Sequence, residues 1–339
     1  MKYTLLHTLL LAFLWSGLSS CRPAKPLMPV RFGGEAQGTY YAITYFDADS
    51  RNFHTQIDSL LHRFDSSAST YMPTSIISMV NNNDTTVRTD SIFNIIFRKS
   101  MEISANTGGA FDITVGPLVN AWGFGFTSHI KVNQHVIDSL LPLVSYKLVH
   151  LEGNRVYKDK PGIKLDYNAI AQGFSVDEIG RFLQLKGIED YLVDVGGEVL
   201  GKGKKPDGSS WNVGVEKPAA NADDPQALKA VVKLKDMALS TSGNYRKYYE
   251  ENGVRYAHTI DPKTGYPVQH SLLSASVLAP DCMTADGYAT AFMVMGLERS
   301  KAFLMQHPEL QVYFIISGSK GEMLIYISPG FKQIVEEQY

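Results

Sequence analysis

The sequence predicts an α+β fold, a single compact domain in which helices pack on a mixed, largely antiparallel sheet. Three observations carry this. Apolar residues recur at helical spacing through the N-terminal half, and short strand-like runs punctuated by Gly, Pro, Asp and Asn fill most of the C-terminal half. Nowhere do strands and helices alternate in the regular order that builds a parallel, doubly wound sheet. The composition agrees with a globular chain: 44% hydrophobic, 19% charged, formal net charge −2. Nothing in that balance suggests a nucleic-acid partner.

The first 20 residues stand apart. Lys2 precedes an apolar run from Leu5 to Trp15, and "LSSC" places small residues just before Cys21. The run is too short to cross a bilayer and reads as a secretory signal. Ending on a cysteine preceded by Leu-Ser-Ser, it resembles the lipobox of bacterial lipoproteins. That implies removal of residues 1–20, a lipid on Cys21, and a place in the cell envelope facing the periplasm, with the choice of membrane left open. Cys282 is the only other cysteine, so the mature chain is expected to hold no disulfide and no cysteine metal cluster.

Residues 21–30 are proline-rich ("RPAKPLMPV" at 22–30) and read as a tether, leaving 31–339 as the domain. "TYYAITYF" (39–46) reads as a strand. Ile57, Leu60, Leu61 and Phe64 mark a first helix. Phe93, Ile96, Phe97 and Met101 mark a second, with Asp90 as N-cap and Gly108-Gly109 as its stop. "VIDSLLPLV" is a short helix, "YKLVHLEGNRVYK" a hairpin around Glu-Gly-Asn, and 170–185 a helix closed by Gly187. Strands follow in "DYLVDVGGEVLGKG", "WNVGVEKP", "LKAVVKLKDMALSTSG", "VRYAHTIDP" and "LLSASVLAP". The helices "DCMTADGYATAFMVMG" (281–296) and 298–306, then the strands "QVYFIISG" and "EMLIYISP", complete the domain.

Four stretches are too polar or too oddly punctuated for plain scaffolding. In "TGGAFDITVGPLVNAWGFG" (107–125), two glycines allow close backbone approach and Asp112 interrupts a run expected to be a strand. Local bonding of Asp112 to backbone amides would explain it equally well. In "KLDYNAIAQGFSVDEIG" (164–180), Asp166 is expected to end a strand and Asn168 to cap a helix. A helix start with small residues Ala169, Ala171 and Gly173 could cradle phosphate or simply pack tightly. In 239–268, Ser240 to Asn244 suggest a hydroxyl-rich turn, and His258 before the Asp-Pro turn could be a general base or a structural histidine. In the 281–296 helix, Asp286 and Thr290 share one face. They suit a hard cation; the alternative reading places Asp286 in the first turn, favoured by the helix dipole, with Thr284 as N-cap. No Ser-His-Asp elbow, His-rich zinc site or dinucleotide fingerprint is present. Oxygen donors with little His or Cys suit Mg²⁺ or Ca²⁺.

Taken together, "TGGAFDITVGPL", "STSGNYRKYY" with "YAHTIDPKTGYPV", and "TADGYATAFMVMG", in that order, resemble the FAD:protein FMN transferase family, from about "AQGTYY" to "MVMG". The resemblance implies an α+β fold and an enzyme that uses Mg²⁺ and FAD. Such an enzyme moves FMN from FAD to a Ser or Thr hydroxyl of a target protein and releases AMP. It implies metal ligands at Asp286, Thr290 and the Ala169 main-chain carbonyl. FAD contacts are implied at Gln37, Tyr71, Ala110, Phe111, Asp112, Asp166, Gln172 and Ile260, with His258 assisting transfer. The implied acceptors are flavin-carrying subunits of Na⁺-pumping NADH:quinone reductase or Rnf-type complexes. The chain departs from the family pattern at Gln37, where Met is usual, at Tyr167-Asn168 and at Gln172. Rival readings are an Mg²⁺-dependent FAD pyrophosphatase and a non-catalytic FAD-binding lipoprotein.

Overall fold

The structure is a computed structural model that describes residues 25–125, 132–218, 227–244, 248–251, 254–320 and 322–337. The signal segment and Cys21 lie outside the described residues. β1 (Met28–Ala36) and β2 (Thr39–Asp47) form a hairpin, so the proline-rich stretch is already a strand at its last three residues. Its two-residue turn, Gln37-Gly38, has φ of 55° and 73°, the left-handed pair that matches strand twist. Helices α1 (His54–Ala68), α2 (Ile76–Asn81), α3 (Ser91–Asn106), α4 (Gly116–Ala121) and α5 (Gln134–Leu140) follow. A small hairpin, β3 (Val149–Glu152) and β4 (Arg155–Lys158), leads to α6 (Ala171–Leu185). Then come β5 (Tyr191–Val195), β6 (Glu198–Lys202), β7 (Trp211–Glu216), β8 (Leu228–Leu234), β9 (Met237–Gly243), β10 (Tyr248–Glu251), β11 (Val254–Ala257) and β12 (Leu272–Ala279). The chain ends with α7 (Cys282–Leu304), β13 (Gln311–Ser317), β14 (Met323–Ile327), α8 (Pro329–Lys332) and β15 (Val335–Glu337).

The main sheet has eight strands in the order β1-β2-β5-β6-β9-β12-β13-β14, and every pairing in it is antiparallel. The strand period of two sorts its side chains between two layers. Val312, Phe314 and Ile316 of β13 pack with residues of α3 and α7, while Tyr313 and Ile315 pack with Trp211, Val232 and Phe331 of the small sheet β15-β8-β7 and α8. Burial on both faces is why "QVYFIIS" is almost wholly apolar.

Asp90 caps α3 through the Phe93 amide, as expected. Several local expectations are corrected. Residues 107–115 form no strand. Asp112 accepts the Thr114 amide, the Thr114 hydroxyl and the Tyr146 amide (2.8, 2.6 and 2.7 Å), which turns the chain instead. Lys164 to Asp166 form no strand either, because the Asn81 side chain takes the Leu165 amide and Ile113 takes that of Asp166. Ile170, not Asn168, is the N-cap of α6, without a side-chain bond. Ser240 to Gly243 are not a turn but the end of β9, paired with β12. Asp281, not Thr284, caps α7, so Asp286 sits beyond its first turn. α7 is two helical pieces joined across Gly296, whose φ of 70° breaks the helix.

Helices α6 and α7 approach each other closely at Gly173 of α6. A Cβ there would stand 2.4 Å from the Cys282 carbonyl oxygen and 2.8 Å from the Asp286 Cβ. Gly173→Ala should therefore destabilise the protein by about 1–3 kcal/mol through overpacking. Urea unfolding checks this, and an unchanged midpoint would show that the two helices can separate without penalty.

Candidate active site

The α6–α7 crossing is tied in both directions. The Gly173 amide of α6 donates to the Asp286 carboxylate of α7 at 3.1 Å. In return, the first two amides of α7, Cys282 and Met283, donate to Asp177 of α6 at 2.8 and 2.9 Å. Asp177 thus satisfies two donors that a helix start leaves unpaired. Across from α7 runs β9. Two strand residues advance about 6.8 Å and four helical residues about 6 Å, so alternate β9 residues can keep step with Asp286 and Thr290. Ser242 meets the Thr290 hydroxyl at 3.2 Å, and Ser240 donates to Glu198 of β6 at 3.2 Å.

Asp286 is 5% exposed, and burial lifts its pKa to about 7 against the pull of the Gly173 amide. Glu198 is also buried and is pushed up by burial first and then by the charge of Asp286. Asp177 is raised to about 7, again by burial, although two amides favour its ionised form. Just before α6, the Ala169 carbonyl receives no hydrogen bond among the described residues, since the Gly173 amide goes to Asp286 instead. A carboxylate, a hydroxyl and an unpaired carbonyl are hard oxygen donors of the kind that hold Mg²⁺. Among the described residues no group of three or more His, Cys, Asp or Glu could hold a metal.

The expected FAD-contacting residues fall into four settings. Tyr71 and Asp166 line one open cavity of about 290 Å³ together with Lys164, Asn168, Gly116 and Asn120. Gln37 and Gln172 converge on the start of α6: Gln37 Oε1 accepts the Ser175 hydroxyl at 3.3 Å. Its Nε2 is buried with no partner among the described residues. Gln172 lies against the Gly196 turn, where a Cβ would stand 3.0 Å from its Nε2. Ala110, Phe111 and Asp112 are buried in the loop after α3, and Asp112 is occupied as a loop clamp. Ile260 is buried among Leu118, Trp122 and Ile137 and bridges to Pro267.

His258 is half-buried, with the Phe124 ring edge-on at 6.3 Å between centroids. The next residue, Thr259, donates to Asn244, just past β9, at 2.7 Å. The Trp122 indole donates to the Gly265 carbonyl at 2.8 Å, so the 107–125 and 258–268 stretches are locked together. Sequence reasoning missed Asp177 and Glu198, and it singled out Ser240 and Ser242 as part of a turn rather than as strand residues of a polar layer. For Glu198 a signal existed: a charge directly after a Gly-Gly turn, at the opening of the apolar strand that runs on through Val199 and Leu200.

The ApbE family model matches residues 37–314. An FAD:protein FMN transferase of Vibrio cholerae serotype O1 is 36% identical, covering 94% of this chain and 96% of the relative. One of Haemophilus influenzae is 35% identical over 94% of each chain. The solved flavin transferase ApbE from Vibrio cholerae superposes with a TM-score of 0.81 at 35% identity, covering 91% of this chain and 100% of that one. The apo flavinyl transferase ApbE of Pseudomonas stutzeri gives 0.81 at 30%, with 91% and 97% covered.

The acidic layer gives the metal-free protein a defined pH response. Asp177 and Asp286 titrate near 3.8 in an unfolded chain and at about 7 here. A carboxyl raised by folding contributes stability below its unfolded pKa and loses it as pH climbs through the folded one. Stability to urea should therefore fall between about pH 4 and about pH 7. Asp286→Asn should flatten part of that slope; an identical slope in the variant would refute the assignment.

Proposed function

The chain belongs to the ApbE family, and from that premise we infer that it is an FAD:protein FMN transferase working with Mg²⁺. The observation that carries the metal reading is the buried Asp286 carboxylate beside Thr290, facing a helix start whose Ala169 carbonyl is unpaired among the described residues. Those three groups would hold the ion, which when bound neutralises pyrophosphate charge and eases departure of AMP. The chain's own residues do the rest. Asp166, Tyr71 and Asn168 line the cavity that would take part of the dinucleotide, and the buried Gln37 Nε2 offers it a donor.

In the transfer, a Ser or Thr hydroxyl oxygen of the acceptor bonds to the phosphorus of the FMN half. The phosphoanhydride bond to AMP breaks, and His258 takes the hydroxyl proton. Thr259, held by Asn244, fixes the backbone on which His258 sits. Flavin-carrying subunits of Na⁺-pumping NADH:quinone reductase or Rnf-type complexes are fitting acceptors because they work at a membrane. A lipid on Cys21 would hold the enzyme close to them. No helix among the described residues is long and apolar enough to cross a membrane.

Incubation with FAD, Mg²⁺ and an acceptor domain should leave covalent flavin fluorescence on the acceptor and release AMP. FMN and AMP without labelled acceptor would favour a pyrophosphatase, and FAD bound but unaltered would sink both enzymatic readings. Asp286→Ala should lower turnover at least about a hundredfold. Because protons compete for Asp286 up to about pH 7, Mg²⁺ should raise the melting temperature more in mildly alkaline than in mildly acidic buffer. A Cys21→Ser protein should leave the membrane fraction; one that stays there is tethered some other way.

A further inference from the structure

Glu198 is a buried acid that the transfer chemistry leaves unused. It opens β6 directly after the Gly196-Gly197 turn, on the sheet face that carries Leu200 and Ala238, which pack with residues of α6 and α7. Val199 and Leu239, the alternate residues, pack in the opposite layer. Glu198 therefore lies between the sheet and the helix that bears Asp286 and Thr290.

Its two carboxylate oxygens differ. Oε1 accepts the Ser240 hydroxyl, whereas Oε2 is buried with no hydrogen-bond partner among the described residues. The charges that act on it most are those of Asp286 and Asp194, both negative. A buried acceptor left unfilled beside further acids is unfavourable unless a donor or a cation enters the space between them. Mg²⁺ characteristically keeps several of its waters when a protein binds it, and those waters are donors.

We propose that Glu198 is a further carboxylate of the cation site: Ser240 orients it, and its Oε2 accepts a hydrogen bond from a water on the Mg²⁺ held by Asp286 and Thr290. This rests on the metal reading above. It gives the two inward serines of β9 matching roles, Ser240 aiming Glu198 and Ser242 aiming the Thr290 hydroxyl. Glu198 is a positioning residue here, acting on the ion through water.

The test measures Mn²⁺ binding from the loss of the free-ion electron paramagnetic resonance signal, with FAD saturating. Wild type, Glu198→Gln and Asp286→Asn are compared. Glu198→Gln keeps shape and the Ser240 bond but turns a donor toward the water, so its Kd should rise about 10-fold or more. Asp286→Asn should lose binding altogether. A Glu198→Gln Kd within about twofold of wild type, with Asp286→Asn still defective, overturns the proposal and leaves the metal reading standing. Wild-type binding by all three, or by none, overturns the metal reading itself. Should Glu198→Gln fail to fold, a crystal structure of the wild type with Mn²⁺ decides. A metal-bound water within hydrogen-bonding distance of Oε2 supports the proposal, and its absence refutes it.

Discussion

At Gly173 two helices meet with backbone against backbone, and the rest of the site hangs on that contact. Because no side chain intervenes, the Gly173 amide can reach Asp286 across the gap. The same closeness brings the first amides of α7 onto Asp177. Each helix start thus finds partners on the other, rather than in solvent. The diversion of the Gly173 amide also leaves the Ala169 carbonyl with no hydrogen bond among the described residues. One missing methyl group therefore sets the spacing, the orientation of a buried carboxylate and the availability of a carbonyl.

The layer beneath this crossing is unusual for a closed β-sheet face. Where apolar residues would pack most easily, Ser240, Ser242, Glu198 and Asp286 form a polar seam. Burial raises both acids toward neutrality, so the folded protein carries an electrostatic penalty at this seam whenever both are ionised. The rest of the sheet compensates by ordinary means: its central strands are buried on both sides, with two apolar clusters separated by one strand's thickness.

Much of this was legible in the sequence. Helical spacing at Ile57 to Phe64 and Phe93 to Met101 located α1 and α3, and Asp90 marked the start of the second correctly. The stretch 107–115 was misread because Thr, Val and Ile favour strands, whereas the bonds made by Asp112 turn the backbone there. Lys164 to Asp166 failed for a similar reason: a distant side chain, Asn81, takes the place of a neighbouring strand. The pairing of Asp286 with Thr290 followed from helical periodicity. Its partners did not, because Glu198 and Ser240 lie far apart in the chain and meet only through the β6–β9 register. The three residues Met28 to Val30 were lost to their proline, since Pro29 falls on the outermost strand, where a missing amide is tolerated.

The hairpin tip at Gln37 shows how such a chain is constrained from within. A left-handed backbone costs a branched-at-nothing residue such as Gln roughly 1 kcal/mol, while Gly adopts it freely and Asn nearly so. Gln37 is nevertheless the residue whose side chain reaches from the outer hairpin to Ser175 on α6. Directed evolution that rewarded heat resistance alone would drift toward Gly or Asn at this position. It would then accumulate sturdier proteins whose hairpin still packs on α6 but whose tip has lost its hydrogen bond to the helix that begins the site.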